Sequence, residues 1–264
     1  MKKQSEIRNP KSEIKKHKLR LDRLLVERCL VESRERGQAL ILAGLVLVDG
    51  QKKDKAGVLV PEDAEIRILG EVLPYVSRGG LKLAGALKAF GISVDGAVAL
   101  DVGASTGGFT DCLLQHGAGK VYAVDVGYGQ MAWTIRQDPR VVVIERANIR
   151  QIDPSLIPEP VDIVVIDVSF ISLEKVVPAI LKFLKPRAEI IALIKPQFEV
   201  GRGQVGKGGI VRDEAARTAA IEKVAGFFRE TGLDVKGMVP SSITGQDGNV
   251  EYLIHAVRQA SVSG

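Results

Sequence analysis

Cysteine and histidine are scarce in this chain, with two of the first and three of the second in 264 residues. Cys29 and Cys112 cannot build a disulfide framework, and so few thiols fit a reducing cytosol. His17, His116 and His255 lie far apart with no metal-ligand spacing, so no metal site is expected. No apolar run approaches the ~20 residues that span a bilayer. The charged N-terminus has no apolar stretch behind it, which excludes a signal peptide. These absences point to a cytoplasmic protein without a membrane partner. Nothing in the sequence calls for obligate assembly, so a monomer is expected.

What is present is a large apolar fraction, 45% of residues, enough for a sizeable core. The length suits one large domain or two smaller ones. The net charge of +5 is unevenly placed. Residues 1–20 hold eight Lys or Arg against two Glu, a net +6, which leaves −1 for the remaining 244 residues. A basic arm beside a neutral body suits a polyanionic partner, and equally a solubilising tail. Residues 1–17 read as a disordered arm.

The next stretch reads as a small α+β unit over residues 18–70. Leu21, Leu24, Leu25 and Cys29 recur with helical spacing. Ser33 is placed to cap a second helix from Arg34 to Leu42, and Gly44 ends it. Short strands follow at 45–48 and 66–69, joined through AspGly and a loop of Lys52, Lys53, Asp54 and Lys55. Residues 71–76 form a linker with Pro74. Ser77 is placed to cap a helix reaching Phe90. Strands are then expected at 97–102, 120–125, 141–145, 162–167, 189–195, 235–240 and 250–257. The clearest helices between them are 172–183 and 211–231. This alternation predicts an α/β domain over residues 77–260, a doubly wound and mostly parallel sheet. The last two strands lack a helix between them and should pair antiparallel at one edge.

The stretch Val98 to Asp111 carries the most chemical information. An apolar run ends in Asp101 and breaks into Gly103, Gly107 and Gly108 before a helical pattern begins at Phe109. A strand that ends in a bare turn lets backbone N–H groups and a helix N-terminus approach a ligand closely. A second strand ends in Asp125, about 20 residues further on, where such folds place an acid on a ribose hydroxyl. A nucleoside-containing cofactor is therefore expected. Four ionisable residues lie in separate segments: Lys82 in a helix, Asp167 and Lys195 at strand ends, and Glu251 at the start of the last strand. A lysine ending a purely apolar strand needs a partner, because a buried unpaired charge is costly. One such residue is most simply a structural salt bridge; four together point to a site, because perturbed charges cluster there.

The spacing Asp-X-Gly-X-Ser-X-Gly-Gly, with a reversed seventh strand, resembles the class I methyltransferases. That resemblance implies S-adenosylmethionine as cofactor, held by Asp101, Gly103, Ser105, Thr106, Gly107, Gly108 and Phe109. It implies ribose contact by Asp125, adenine contact near Asn148, and Asp167 beside the methyl donor. Phe109 and Trp133 serve equally well as core packing. The Lys82, Asp167, Lys195 and Glu251 set resembles the FtsJ-type ribose 2′-O-methyltransferases. The run LeuArgLeuAspArgLeuLeuVal, with SerArgGluArgGlyGln and LeuValLeuValAspGly after it, resembles the S4 RNA-binding domain. Together these are similar to the TlyA family of ribosomal RNA methyltransferases, also labelled haemolysin A. In the linker, LeuProTyrVal stands where that family more usually has Arg-Ala-Trp-Val.

The resemblance implies 2′-O-methylation of ribosomal RNA at cytidine, with ribosomal subunits as partners. RNA contact would fall to Arg20, Arg23, Arg34, Arg36 and Arg78, although Glu27, Glu32 and Glu35 dilute the helices and a solvated face is the plainer reading. Lys195 is the candidate base or the group that steers the hydroxyl, Asp167 orients it, and Glu251 holds Lys82 or the ribose. AspValSerPhe lacks the prolines of enzymes that methylate base amino groups. Neither cysteine lies where methylation of pyrimidine carbon 5 needs one. GlyArgGlyGlnValGlyLys, residues 201–207, nearly matches a phosphate loop, but Gly208 replaces the magnesium-binding Ser or Thr. It reads as a mobile loop in which Arg202 and Lys207 reach RNA phosphate, or as a plain flexible one. Two alternatives stay open: a membrane-active haemolysin, and an inactive RNA-binding or assembly factor.

Overall fold

The computed structural model describes residues 17–28, 30–31, 33–69, 73–201, 203, 205–206, 208–245 and 248–259. The basic arm before His17, Cys29, Glu32, Arg202 and Lys207 lie outside the described residues. The chain divides into two compact units, residues 1–72 and 73–264.

The first unit runs β1 (Lys18–Arg20), α1 (Leu21–Glu27), α2 (Arg34–Leu42), β2 (Val46–Val48), β3 (Gln51–Lys53), β4 (Leu59–Pro61) and β5 (Ile66–Ile68). Strand β2 pairs antiparallel with β3 and β5, and β1 with β4. Leu21, Leu24 and Leu25 sit one helical turn apart and close with Leu40 and Ile41 on Val46, Val48 and Val60. Ser33 caps α2 as expected, its Oγ accepting the Arg36 N–H at 3.2 Å. Lys52 and Lys53 belong to a strand, where a loop was expected. Asp49 and Gly50 both take positive φ, 50° and 75°, the two-residue turn that folds a chain back on itself. A polar edge strand shows no apolar alternation, so its sequence reads as loop. Leu19 lies in β1, and α1 begins at Leu21.

Asp22 is fully buried in this unit. It accepts from Arg20 Nε and Nη2 at 3.0 and 2.9 Å, from Arg34 Nη2 at 3.0 Å and from Gln38 Nε2 at 2.9 Å. The Arg20 bonds, helped by Gln38 and Arg34, hold its carboxyl well below the usual carboxylate range.

The second unit runs α3 (Gly79–Phe90), β6 (Val98–Val102), α4 (Gly108–Gln115), β7 (Lys120–Val124), α5 (Trp133–Arg136), β8 (Val141–Ile144), β9 (Val161–Ile166), α6 (Val177–Ile180), β10 (Leu184–Ile194), α7 (Pro196–Glu199), α8 (Glu214–Glu230), β11 (Leu233–Pro240) and β12 (Tyr252–Arg258). The sheet order is β11-β12-β10-β9-β6-β7-β8. Five strands, β10 to β8 in that order, are parallel. Strand β12 runs antiparallel to both β10 and β11, so the reversed strand sits one place in from the edge. Alternate residues face opposite cores. Leu100, Val102, Val164 and Ile166 meet Val224 and Phe228 of α8 on one side. Ala99, Val121, Ile163 and Val165 meet Leu83 of α3 and Leu113 of α4 on the other. Two-sided burial explains why these strands are almost wholly apolar.

Three expectations are corrected. The helix expected over 172–183 is broken into a 3-10 turn at Leu173–Lys175, α6, and a second 3-10 turn at Leu181–Phe183. Pro178 lacks an N–H and stands in the first turn of α6, which starts a helix and does not continue one. Strand β10 begins at Leu184 and not at 189, with a register shift before Glu189; the polar LysProArg segment hides it. Ser77 makes no side-chain cap on α3; its carbonyl accepts the Gly80 N–H at 3.2 Å.

Replacing Asp22 by Ala should destabilise the first unit by about 2 kcal/mol. The figure is modest because the stranded arginines are half-exposed and can hydrate. Hydrogen exchange in the full chain should speed up across residues 18–68 and stay unchanged in the sheet of the second unit.

Candidate active site

The C-terminal ends of β6, β9 and β10 meet at the glycine turn. Gly103 takes φ +88°, and a Cβ there would collide with the Asp167 carbonyl oxygen. The close approach of β6 and β9 thus requires glycine. Gly107, φ +93°, forms the N-cap of α4. A Cβ on Gly108 would collide with Ser77 Oγ. Asp125 closes the turn from the next strand, its two oxygens accepting the Ser105 N–H at 2.8 Å and the Gly127 N–H at 2.6 Å.

Two adjoining lobes open over this turn. The larger, about 590 Å³, is lined by Gly103, Ser105, Asp125, Asn148 and Asp167 among others. The other, about 360 Å³, is lined by Lys82, Asp167, Lys195 and Glu251, with Arg78, Ser105, Thr106, Gly108 and Phe109. The four ionisable residues, spread over 170 positions of sequence, therefore share one lobe. Lys82 Nζ lies 2.5 Å from Glu251 Oε2, with side chains only 11% and 3% exposed. Lys195 Nζ lies 2.6 Å from Asp167 Oδ1 and donates to Ser169 Oγ at 2.8 Å. Charges this shielded persist only as pairs.

Asp101 and Gly107 line neither lobe. Asp101 is fully buried. Thr110 Oγ1 donates to its Oδ2 at 2.6 Å, while Oδ1 has no partner. Burial pushes its carboxyl up to about 7, against the Thr110 bond that favours the charged form. Asn148 lines the larger lobe while its Oδ1 caps a 3-10 turn by accepting the Arg150 N–H at 3.1 Å. Phe109 is buried core that also reaches the smaller lobe. Trp133 is 64% exposed and packs in no core. In the first unit Arg20 and Arg34 are tied to Asp22, and Arg23 pairs with Glu27 at 2.6 Å.

The sequence reading missed Ser169, Phe170 and Phe198. Phe170 is 91% exposed on a left-handed backbone, φ +63°, and lines both lobes. Its ring centroid lies 5.1 Å from that of Phe198. The available signal was the aromatic in fourth place of AspValSerPhe.

A seven-stranded sheet with one reversed strand, a glycine turn after β6 and an acid after β7 define a class I methyltransferase fold. The FtsJ-like methyltransferase family matches residues 75–258, and the S4 domain matches residues 19–66. The 16S/23S rRNA (cytidine-2′-O)-methyltransferase TlyA of Mycobacterium tuberculosis is 48% identical over 236 residues, 89% of this chain and 88% of that one. Hemolysin A of Brachyspira hyodysenteriae is 42% identical over 240 residues, 90% of this chain and 100% of the relative. A solved structure, "Putative hemolysin from Streptococcus thermophilus", is 44% identical with a TM-score of 0.71, covering 92% of this chain and 90% of that one. The chain belongs to the TlyA family of FtsJ-like methyltransferases with an S4 domain. It is accordingly an S-adenosylmethionine-dependent enzyme, and the site fits that cofactor: a turn stripped of Cβ atoms, an acid on its far side, and a lobe large enough for a nucleoside.

The Asp101 carboxyl gives the second unit a pH signature. A buried acid with a raised pKa takes up a proton on folding. Its contribution is therefore most favourable below pH 4 and is lost as pH rises toward about 7. Denaturant titrations between pH 4 and 8 should show Asp101→Asn losing less stability across that window than the parent. Equal pH slopes would mean that Asp101 folds as a carboxylate.

Proposed function

We propose that this enzyme methylates the ribose 2′-oxygen of a cytidine in ribosomal RNA. The observation that carries the reading is the meeting of two shielded Lys–carboxylate pairs over the glycine turn. The substrate named for the Mycobacterium tuberculosis relative supports the choice of cytidine and of ribosomal RNA. The same reading makes it a cytoplasmic monomer that meets ribosomal subunits; no helix among the described residues is long and apolar enough to cross a membrane.

The chemistry follows from the charges. When bound, S-adenosylmethionine supplies a methyl group on a positively charged sulfur, and displacement returns the bonding pair to that sulfur. Gly103, Ser105, Asp125 and Asn148 line the larger lobe and would hold the donor there. Lys195, whose ammonium first passes one proton to water, receives the 2′-hydroxyl proton as the new O–C bond forms. A base must be a neutral amine at that moment, with two N–H groups and one lone pair. Ser169 Oγ accepts one N–H group, and the Asp167 carboxylate lies 2.6 Å from the nitrogen; together they restrict where the amine can turn its lone pair. Asp167 thus acts by orienting Lys195. Glu251 fixes Lys82, whose remaining N–H groups hold the ribose oxygens. Such alignment can supply roughly 7–11 kcal/mol of the barrier.

RNA is gripped by Arg20, Arg23, Arg34 and Arg36 of the S4 unit and by Arg78 in the catalytic lobe. Asp22 holds the half-exposed forks of Arg20 and Arg34 in place, so little side-chain entropy is lost when they meet phosphate.

Lys195→Ala should abolish methyl transfer to unmodified 30S, 50S or 70S particles while leaving S-adenosylmethionine affinity within about two-fold. Calorimetric titration and tritiated-methyl incorporation read the two quantities separately. Loss of cofactor binding together with activity would move Lys195 out of the proton-transfer role.

A further inference from the structure

We propose that a shallow cavity beside the catalytic lobe binds a second nucleotide, the neighbour in the RNA strand of the one that is methylated. The inference rests on the reading of the enzyme as an RNA methyltransferase. The cavity, about 390 Å³, is lined by Arg150, Phe170, Ile171, Ser172, Lys175 and Phe198. Phe170 and Phe198 also line the catalytic lobe, so the two spaces are continuous across the aromatic pair. A strand that delivers its ribose to Lys195 brings the next nucleotide to this cavity.

The lining matches both halves of a nucleotide. For the base there are two phenyl rings with centroids 5.1 Å apart and tilted 50°. They present a surface on which any base can stack. For the phosphate there are two cations. Lys175 is exposed, and its side chain makes no hydrogen bond or ion pair among the described residues. Arg150 donates through Nε to Asn148 Oδ1 at 3.3 Å, which leaves its terminal nitrogens for a ligand. The nearby acids are committed elsewhere. Glu174 pairs with Lys223 at 3.0 Å. Glu199 is buried and accepts from Ser172 Oγ at 2.6 Å and the Leu173 N–H at 2.9 Å. The rim is left cationic beside an aromatic floor, and a phosphate joined to a base is its complement.

The test reads binding and not methyl transfer. Full-length protein saturated with S-adenosylhomocysteine is titrated with a labelled heptaribonucleotide carrying a central cytidine, and with two versions that have an abasic ribose on either side of it. One of the two abasic probes should bind about five-fold more weakly or worse, the loss expected for one stacked base. With the intact probe, Lys175→Gln should lower the slope of log affinity against log salt by about 0.7, one phosphate contact to a single strand. Equal binding of all three probes, or an unchanged slope in Lys175→Gln, overturns the site. Either result with normal binding of the intact probe leaves the methyltransferase reading standing. No binding of any probe by the parent protein also overturns the site, while the methyltransferase reading is decided separately by methyl transfer to ribosomal particles.

Discussion

The second unit is organised around the cost of placing charge at the ends of apolar strands. Lys195 follows Ile190 to Ile194, of which all five residues are buried. An ammonium in such a place costs several kcal/mol unless an opposite charge and hydrogen bonds offset it. Asp167, at the end of the adjacent strand β9, provides the charge, and Ser169 an acceptor. The partner strands are fixed in turn by the missing Cβ of Gly103, which lets the Asp167 carbonyl lie against the glycine turn. One ion pair and one glycine thereby place Lys195 beside the cofactor lobe. Lys82 and Glu251 repeat the device from α3 and the residue just before β12.

The first unit solves a related problem for a different purpose. Asp22 is fully buried, yet its partners Arg20 and Arg34 are about half exposed, 49% and 52%. The buried carboxylate anchors one end of each arginine and leaves the other toward solvent. In the catalytic unit both members of each pair are shielded, which suits groups that act on a substrate at short range. In the first unit the cations stay wet, which suits a surface that trades counterions for phosphate.

Much of this was legible in the sequence because the relevant signals are local. The strands of the parallel sheet are apolar on both faces, so β6, β7, β9 and most of β10 stand out as runs. The glycine turn declares itself, since only glycine satisfies the backbone at 103 and 107. The two lysines and two acids were recognisable as a set through the family pattern, and their pairing, Lys82 with Glu251 and Lys195 with Asp167, emerges only when distant segments are folded together. What was hidden depended on context. Strand β3 is polar because its side chains face solvent at an edge. Pro178 breaks a segment whose apolar spacing still reads as helix. Trp133 and Phe170 look like core residues by composition and are exposed by geometry, and no periodicity distinguishes an aromatic kept for a partner from one kept for packing.

If the two ion pairs converge on a ribose oxygen, the methylated product resists alkali. The alkali stability of the product measures that convergence most directly. Alkaline cleavage of RNA needs a free 2′-hydroxyl to attack the adjoining phosphate, and a methyl group on that oxygen blocks it. Ribosomal RNA labelled by this enzyme with tritiated S-adenosylmethionine should release its label in alkali-resistant dinucleotides. Label appearing in mononucleotides would place the methyl on a base, and the account of the site would be wrong.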